Sequence, residues 1–93
     1  MQSSRLSLAL VAAVFAVAPL AAQAKADCKA YPKSEWMKPD AARARIEAQG
    51  YTVNKFKVDG NCYEIYGRNK EGKKVEIYYD AKTLAVVKSE IEK

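Results

Sequence analysis

The 93-residue chain contains no histidine. That gap removes the commonest general base and the commonest zinc and haem ligand, and with them the Ser–His and Cys–His nucleophile pairs. Glycine is scarce at four residues, and none of them belongs to a phosphate-cradling loop or a calcium-loop pattern. The two cysteines, Cys28 and Cys62, are too few for a zinc site on their own. They also lie far outside the two-residue spacing of a redox pair. There are no internal repeats, no low-complexity tracts and no linker to a second domain. These absences argue against an enzyme and against a resident cofactor.

The N-terminus is the first positive signal. Arg5 precedes an apolar run from Leu6 to Leu20, broken only by Ser7 and Pro19, and two small-x-small sites follow at Ala22-Gln23-Ala24 and Ala24-Lys25-Ala26. This is the build of a secretory signal peptide over residues 1–26, with cleavage after Ala24 or Ala26. The run is shorter than the roughly 20 apolar residues that span a bilayer, so the mature form is expected not to be membrane-spanning. No Cys follows the run directly, which argues against a lipoprotein. Residues 27–93 keep 14 basic and 11 acidic residues, net +3. Nucleic acid is not an expected partner of a periplasmic or secreted domain whose lysines form no block.

A domain this small buries a thin core and needs a staple. In an exported protein, Cys28 and Cys62 are expected to form a disulfide. Closing a loop of about 35 residues contributes about 3 to 4 kcal/mol by the chain-entropy argument. The competing reading makes Cys28, Cys62 and Met37 soft ligands or redox groups of a metal or redox accessory protein.

The fold is expected to be α+β. Pro39 suits the first position of a helix with Asp40 in its first turn, and Gly50 ends it after Gln49. Ala42, Ile46 and Gln49 form its narrow apolar stripe. From Tyr51 onward the hydrophobic period becomes two, giving strands over Tyr51–Val58, Cys62–Arg68, Lys73–Tyr79 and Leu84–Ile91. Asp59-Gly60-Asn61 and Asn69-Lys70-Glu71-Gly72 supply the turns. Short connections force antiparallel neighbours, so one helix packs on a four-stranded meander. Tyr63, Ile65, Val75, Ile77 and Tyr79 share the covered parity. Cys62, Glu64, Tyr66, Lys74, Glu76 and Tyr78 share the other, expected to be wet. On that face Glu64 and Glu76 read as surface charge facing each other across strands two and three. Tyr66 and Tyr78 read as a possible interaction surface beside them.

Several segments carry a family resemblance: Trp36-Met37-Lys38-Pro39 before the helix, Gly50-Tyr51 after it, Tyr63-Glu64 in strand two, Glu71-Gly72-Lys73 before strand three, and the Asp80-Ala81-Lys82-Thr83 turn. Together they resemble a small exported PepSY-type domain, over nearly the whole mature chain. The resemblance implies a fold similar to each half of beta-lactamase inhibitor protein. It also implies a non-catalytic role toward a periplasmic or membrane protein: inhibiting a protease, or modulating a membrane redox or sensor protein. Two departures stand out. Leu84 replaces the glycine usual after the turn's Thr, which implies another turn geometry, and Lys38 replaces the usual N-cap Ser or Asp.

The disulfide expectation gives a direct test. Cys62→Ala should lower the melting temperature under oxidising conditions and scarcely change it in reductant; an equal loss in both would contradict a stabilising disulfide.

Overall fold

The computed structural model describes residues 26–92. All of the expected signal peptide but Ala26 lies outside them. After a single 3-10 turn at Lys33–Glu35, helix α1 spans Pro39–Ala48, and strands β1 Thr52–Asp59, β2 Cys62–Arg68, β3 Lys74–Asp80 and β4 Val86–Ile91 follow. The strands form one antiparallel sheet in the order β1-β2-β3-β4. This is the expected helix-plus-meander.

Helix α1 starts where proline permits it, with Lys38 at the N-cap making no side-chain capping bond. It buries only Ala42 and Ile46 completely. Gln49, expected on the same stripe, is exposed. The helix has already ended there, and the Gln49 N–H reaches back to the Ile46 carbonyl at 3.1 Å. Gly50 then takes φ 106°, the left-handed stop that a side chain would oppose.

The helix packs on the inner face of the sheet, against Val53, Tyr63, Ile65, Ile77 and Tyr79. A strict period of two fails once in β1. The register slips between Val53 and Lys55, so Val53 opposes Gly67 while Phe56 opposes Ile65. The bulge at Asn54 turns Val53 and Phe56, three residues apart, to the same side. It also brings backbone so close that a Cβ on Gly67 would stand 1.9 Å from the Thr52 carbonyl oxygen, which explains glycine in the middle of a strand. Trp36 closes one end of the core, edge-on to Tyr63 at 5.3 Å between ring centroids. Its indole N–H donates to the Tyr31 carbonyl at 3.0 Å.

The disulfide is present: Cys28 and Cys62 are joined with their Cα atoms 5.4 Å apart. It sits on the outer face in a small cluster with Tyr78 and Ala26. From there the chain rounds the end of β2 and β3. Tyr31 donates its hydroxyl to Asp80 Oδ2 at 3.0 Å, and the Met37 N–H donates to the Ala81 carbonyl at 2.9 Å. The lead-in segment is therefore a strap running from the outer face of the sheet to the inner one.

The turn after β3 departs from expectation. The sequence pattern puts Leu84 in the last strand, with a turn geometry different from that of glycine. Instead Leu84 lies in the turn at φ 63°, the left-handed conformation glycine favours. Two features hold it there. Asp80 Oδ1 accepts the N–H groups of Lys82 and Thr83 at 2.9 and 2.8 Å, and the Leu84 N–H returns to the Asp80 carbonyl at 2.9 Å. The Leu84 side chain is buried in the core at 8% exposure. A left-handed non-glycine residue costs about 1–2 kcal/mol, and truncating a buried leucine costs about 2–5 kcal/mol, so burial outweighs backbone strain. Both Leu84→Gly and Leu84→Ala should destabilise in urea titrations. Glycine should be the milder change by about 1 kcal/mol, since it alone relieves the strain.

Candidate interaction surface

The outer face of the sheet carries an ordered grid of side chains. Lys57 opposes Glu64, which opposes Tyr78, which opposes Lys88. One row along, Lys55 opposes Tyr66, which opposes Glu76, which opposes Glu90. Two carboxylates and two phenols thus alternate at the centre, with lysines at both flanks. Glu64 and Glu76 sit on a diagonal, each opposite a tyrosine, and do not face each other as expected. Directly opposed side chains interact most strongly, and diagonal ones remain within reach when they are long.

This face is not the wet surface it was expected to be. Glu64 is completely buried, and Cys62 and Tyr78 are buried too. Glu76 is half-buried, and Tyr66 is 37% exposed. Large neighbours produce this: a glutamate between Lys57 and Tyr78, with Tyr66 and Glu76 alongside, is roofed by their stems and rings. Lys57 Nζ approaches Glu64 Oε1 at 3.7 Å. The ammonium groups of Lys55 and Lys57 stand 5.7 and 5.6 Å from the Tyr66 ring centre, within cation–π range, and that of Lys88 stands 5.9 Å from Tyr78. The Tyr78 hydroxyl donates to Glu76 Oε2 at 3.1 Å.

Electrostatics follow from the grid. Neither Glu64 oxygen makes a hydrogen bond of ordinary geometry. Burial first, then the neighbouring Glu76 carboxyl, raise the Glu64 pKa; Tyr66, Tyr78 and Lys57 pull it down and lose. Glu76 moves the opposite way, lowered chiefly by Glu64 against the effect of burial. The two carboxyls are thus pushed apart, Glu64 keeping its proton to higher pH than Glu76. Beside it the Glu64 carboxyl, then burial, push Tyr66 up to about 12. Burial first and Glu76 second raise Tyr78 as well.

Residues 7–90 match the family described as "Peptidase propeptide and YPEB domain", PepSY. The chain belongs to the PepSY family. No curated protein and no solved structure matches it.

In this PepSY domain the sequence-derived surface residues Glu64, Tyr66, Glu76 and Tyr78 are brought together, in a tighter arrangement than expected. Cys28, Cys62 and Met37 are not. The two sulfurs are bonded to each other among the outer-face residues, while Met37 packs against the core on the helix side. Among the described residues no group of three or more His, Cys, Asp or Glu is placed to hold a metal ion. Lys55, Lys57 and Lys88 complete the grid. The hairpin register, countable from Asp59-Gly60-Asn61, would have placed Lys57 opposite Glu64.

The raised Glu64 pKa sets a pH dependence. A Glu64 pKa raised above its ordinary value of 4.5 means that its stabilising contribution is full below that value and is lost as pH rises through the folded one. The lowered Glu76 acts in the opposite sense, its contribution lost as pH falls. Urea titrations of the wild type and Glu64→Gln from about pH 4 to about pH 8 should therefore show the wild type losing stability relative to the variant as pH rises. A difference that is constant with pH would exclude a proton held at Glu64.

Proposed function

We propose that this PepSY domain is a non-enzymatic regulatory module of the periplasm. It contacts another periplasmic or membrane protein through the outer face of its sheet, and it acts by occupying that partner, either as an inhibitor of a protease or as a modulator of a membrane redox or sensor protein. Tyr66 carries the surface assignment. Its ring is exposed enough to be touched, yet the Glu64–Glu76 pair beside it and the lysines over it hold it in place. An aromatic already immobilised loses little side-chain freedom on binding, and tyrosine is enriched where interfaces concentrate their energy.

Next to Tyr66 lies a shallow groove of about 320 Å³, also lined by Glu76, Glu90 and Glu92, which outnumber its one cation, Lys74. Three carboxylates and a phenol suit a lysine or arginine side chain from the partner. The family's printed description names peptidase propeptides, which supports the inhibitory form of the reading. The disulfide supports an oxidising compartment, since cytosolic structural disulfides are rare. Among the described residues, no helix is long and apolar enough to cross a membrane.

Photo-crosslinking in producing cells tests the surface. A photoreactive residue replacing Tyr66 should give a discrete adduct with a different protein, and one replacing Glu47, on the exposed side of α1, should give none. An adduct from position 47 with none from position 66 would place the contact elsewhere and overturn the assignment.

A further inference from the structure

The two edges of the sheet are built differently. β1 carries Lys55 and Lys57 on one face and a bulge at Asn54, the devices by which an edge strand resists pairing. β4 has an irregularity of its own at Val87, where its register with β3 slips, but it carries no run of like charge. Its charged residues Lys88 and Glu90 alternate in sign, and Val86, Val87 and Ile91 are 56%, 42% and 55% exposed. They stay uncovered because the core under α1 is built from β1, β2 and β3 and takes in no residue of β4.

The backbone of β4 is also available along one side. The Glu92 N–H donates to the Lys74 carbonyl at 2.9 Å. Ile91 opposes Val75, Glu90 opposes Glu76 and Ser89 opposes Ile77. In an antiparallel ladder hydrogen-bonded pairs alternate with non-bonded ones, so Glu90 and Glu92 point their backbone groups at β3. Those of Ser89 and Ile91 then point away from the sheet. β4 has no neighbour on that side among the described residues.

We propose that a second copy of this chain pairs antiparallel along β4, about a two-fold axis at Ser89, to make one continuous eight-stranded sheet. The charge pattern selects this partner and this register. Only registers that join outward-pointing residues to one another satisfy the backbone. Centring the axis on Lys88 sets lysine against lysine, and centring it on Glu90 sets glutamate against glutamate. Centring it on Ser89 sets Lys88 opposite Glu90 of the second copy, and Glu90 opposite its Lys88. Opposite charges across a strand pair are favourable and like charges unfavourable, so the middle register wins. It also places Ile91 opposite Val87 of the second copy at each end of the seam, covering apolar side chains that are otherwise in water. Within one chain Lys88 and Glu90 already approach each other at 3.3 Å, on the same face as the proposed cross-pairs.

Sedimentation of purified protein over a concentration series tests the proposal. The wild type should pass from monomer to dimer. Lys88→Glu and Glu90→Lys should each weaken dimerisation by about tenfold or more, since each sets like charges opposite one another twice. Mixing these two variants should restore association, because each then supplies the charge the other needs. Ser89→Pro should abolish pairing by removing an outward N–H while leaving the β3 ladder intact, with near-ultraviolet circular dichroism confirming the fold. A wild type that stays monomeric would overturn the proposal, leaving the edge to a strand from another protein. So would a dimer indifferent to both charge reversals, or a variant mixture that fails to associate.

Discussion

The Cys28–Cys62 bond ties two segments 34 residues apart, and much of the molecule is arranged around what it holds. Without that link the lead-in segment would be held only from Tyr31 onward, by its contacts with Asp80, Ala81 and Tyr63. With it, the segment is anchored on the outer face, rounds the end of β2 and β3, and delivers Trp36 and Met37 to the core on the inner face. The strap thus fixes where α1 begins, because Pro39 follows Met37 by two residues. It also buries Cys62 and Tyr78, which gives a one-helix domain a second, smaller cluster behind its sheet. A core made from two helix residues and the strands has little surplus, and a cross-link of this loop length makes a large share of the difference.

Behind the sheet the chain uses an arrangement that a stability argument alone would disfavour. A fully buried glutamate without a well-formed hydrogen bond is costly as an anion. Burial and the neighbouring Glu76 carboxyl raise the Glu64 pKa, which favours its neutral form and lowers that cost. In return the network holds Tyr66 in a fixed place on an otherwise mobile kind of surface, one of lysines and glutamates. The core itself shows a related compromise, since the buried Tyr79 hydroxyl has no hydrogen-bond partner and burial pushes its pKa up to about 12.

The sheet and the helix were legible because local chemistry and global packing agree. Pro39 and Gly50 bracket the helix, Gly60 turns the first hairpin at φ 62°, and alternation from Tyr63 to Tyr79 assigns the inner face. Legibility failed where a residue's environment came from its neighbours in space. Glu64 reads as a surface charge until Lys57, Tyr66 and Tyr78 are set around it. Leu84 reads as a strand residue until the Asp80 turn and the core pull its backbone into the left-handed region. Gln49 reads as part of an apolar stripe until the helix ends before it.

By itself, then, the sequence determined the element order, the antiparallel meander, the family and the pairing of its only two cysteines. Each of those follows from short-range periodicity, turn residues and composition. Tertiary structure alone decided that an outer-face glutamate is buried beside a second carboxyl, that one bulge realigns β1, and that Leu84 turns left-handed into the core. Those outcomes depend on strand register and on which face the helix and the strap cover, and both are set by contacts between residues far apart in the chain.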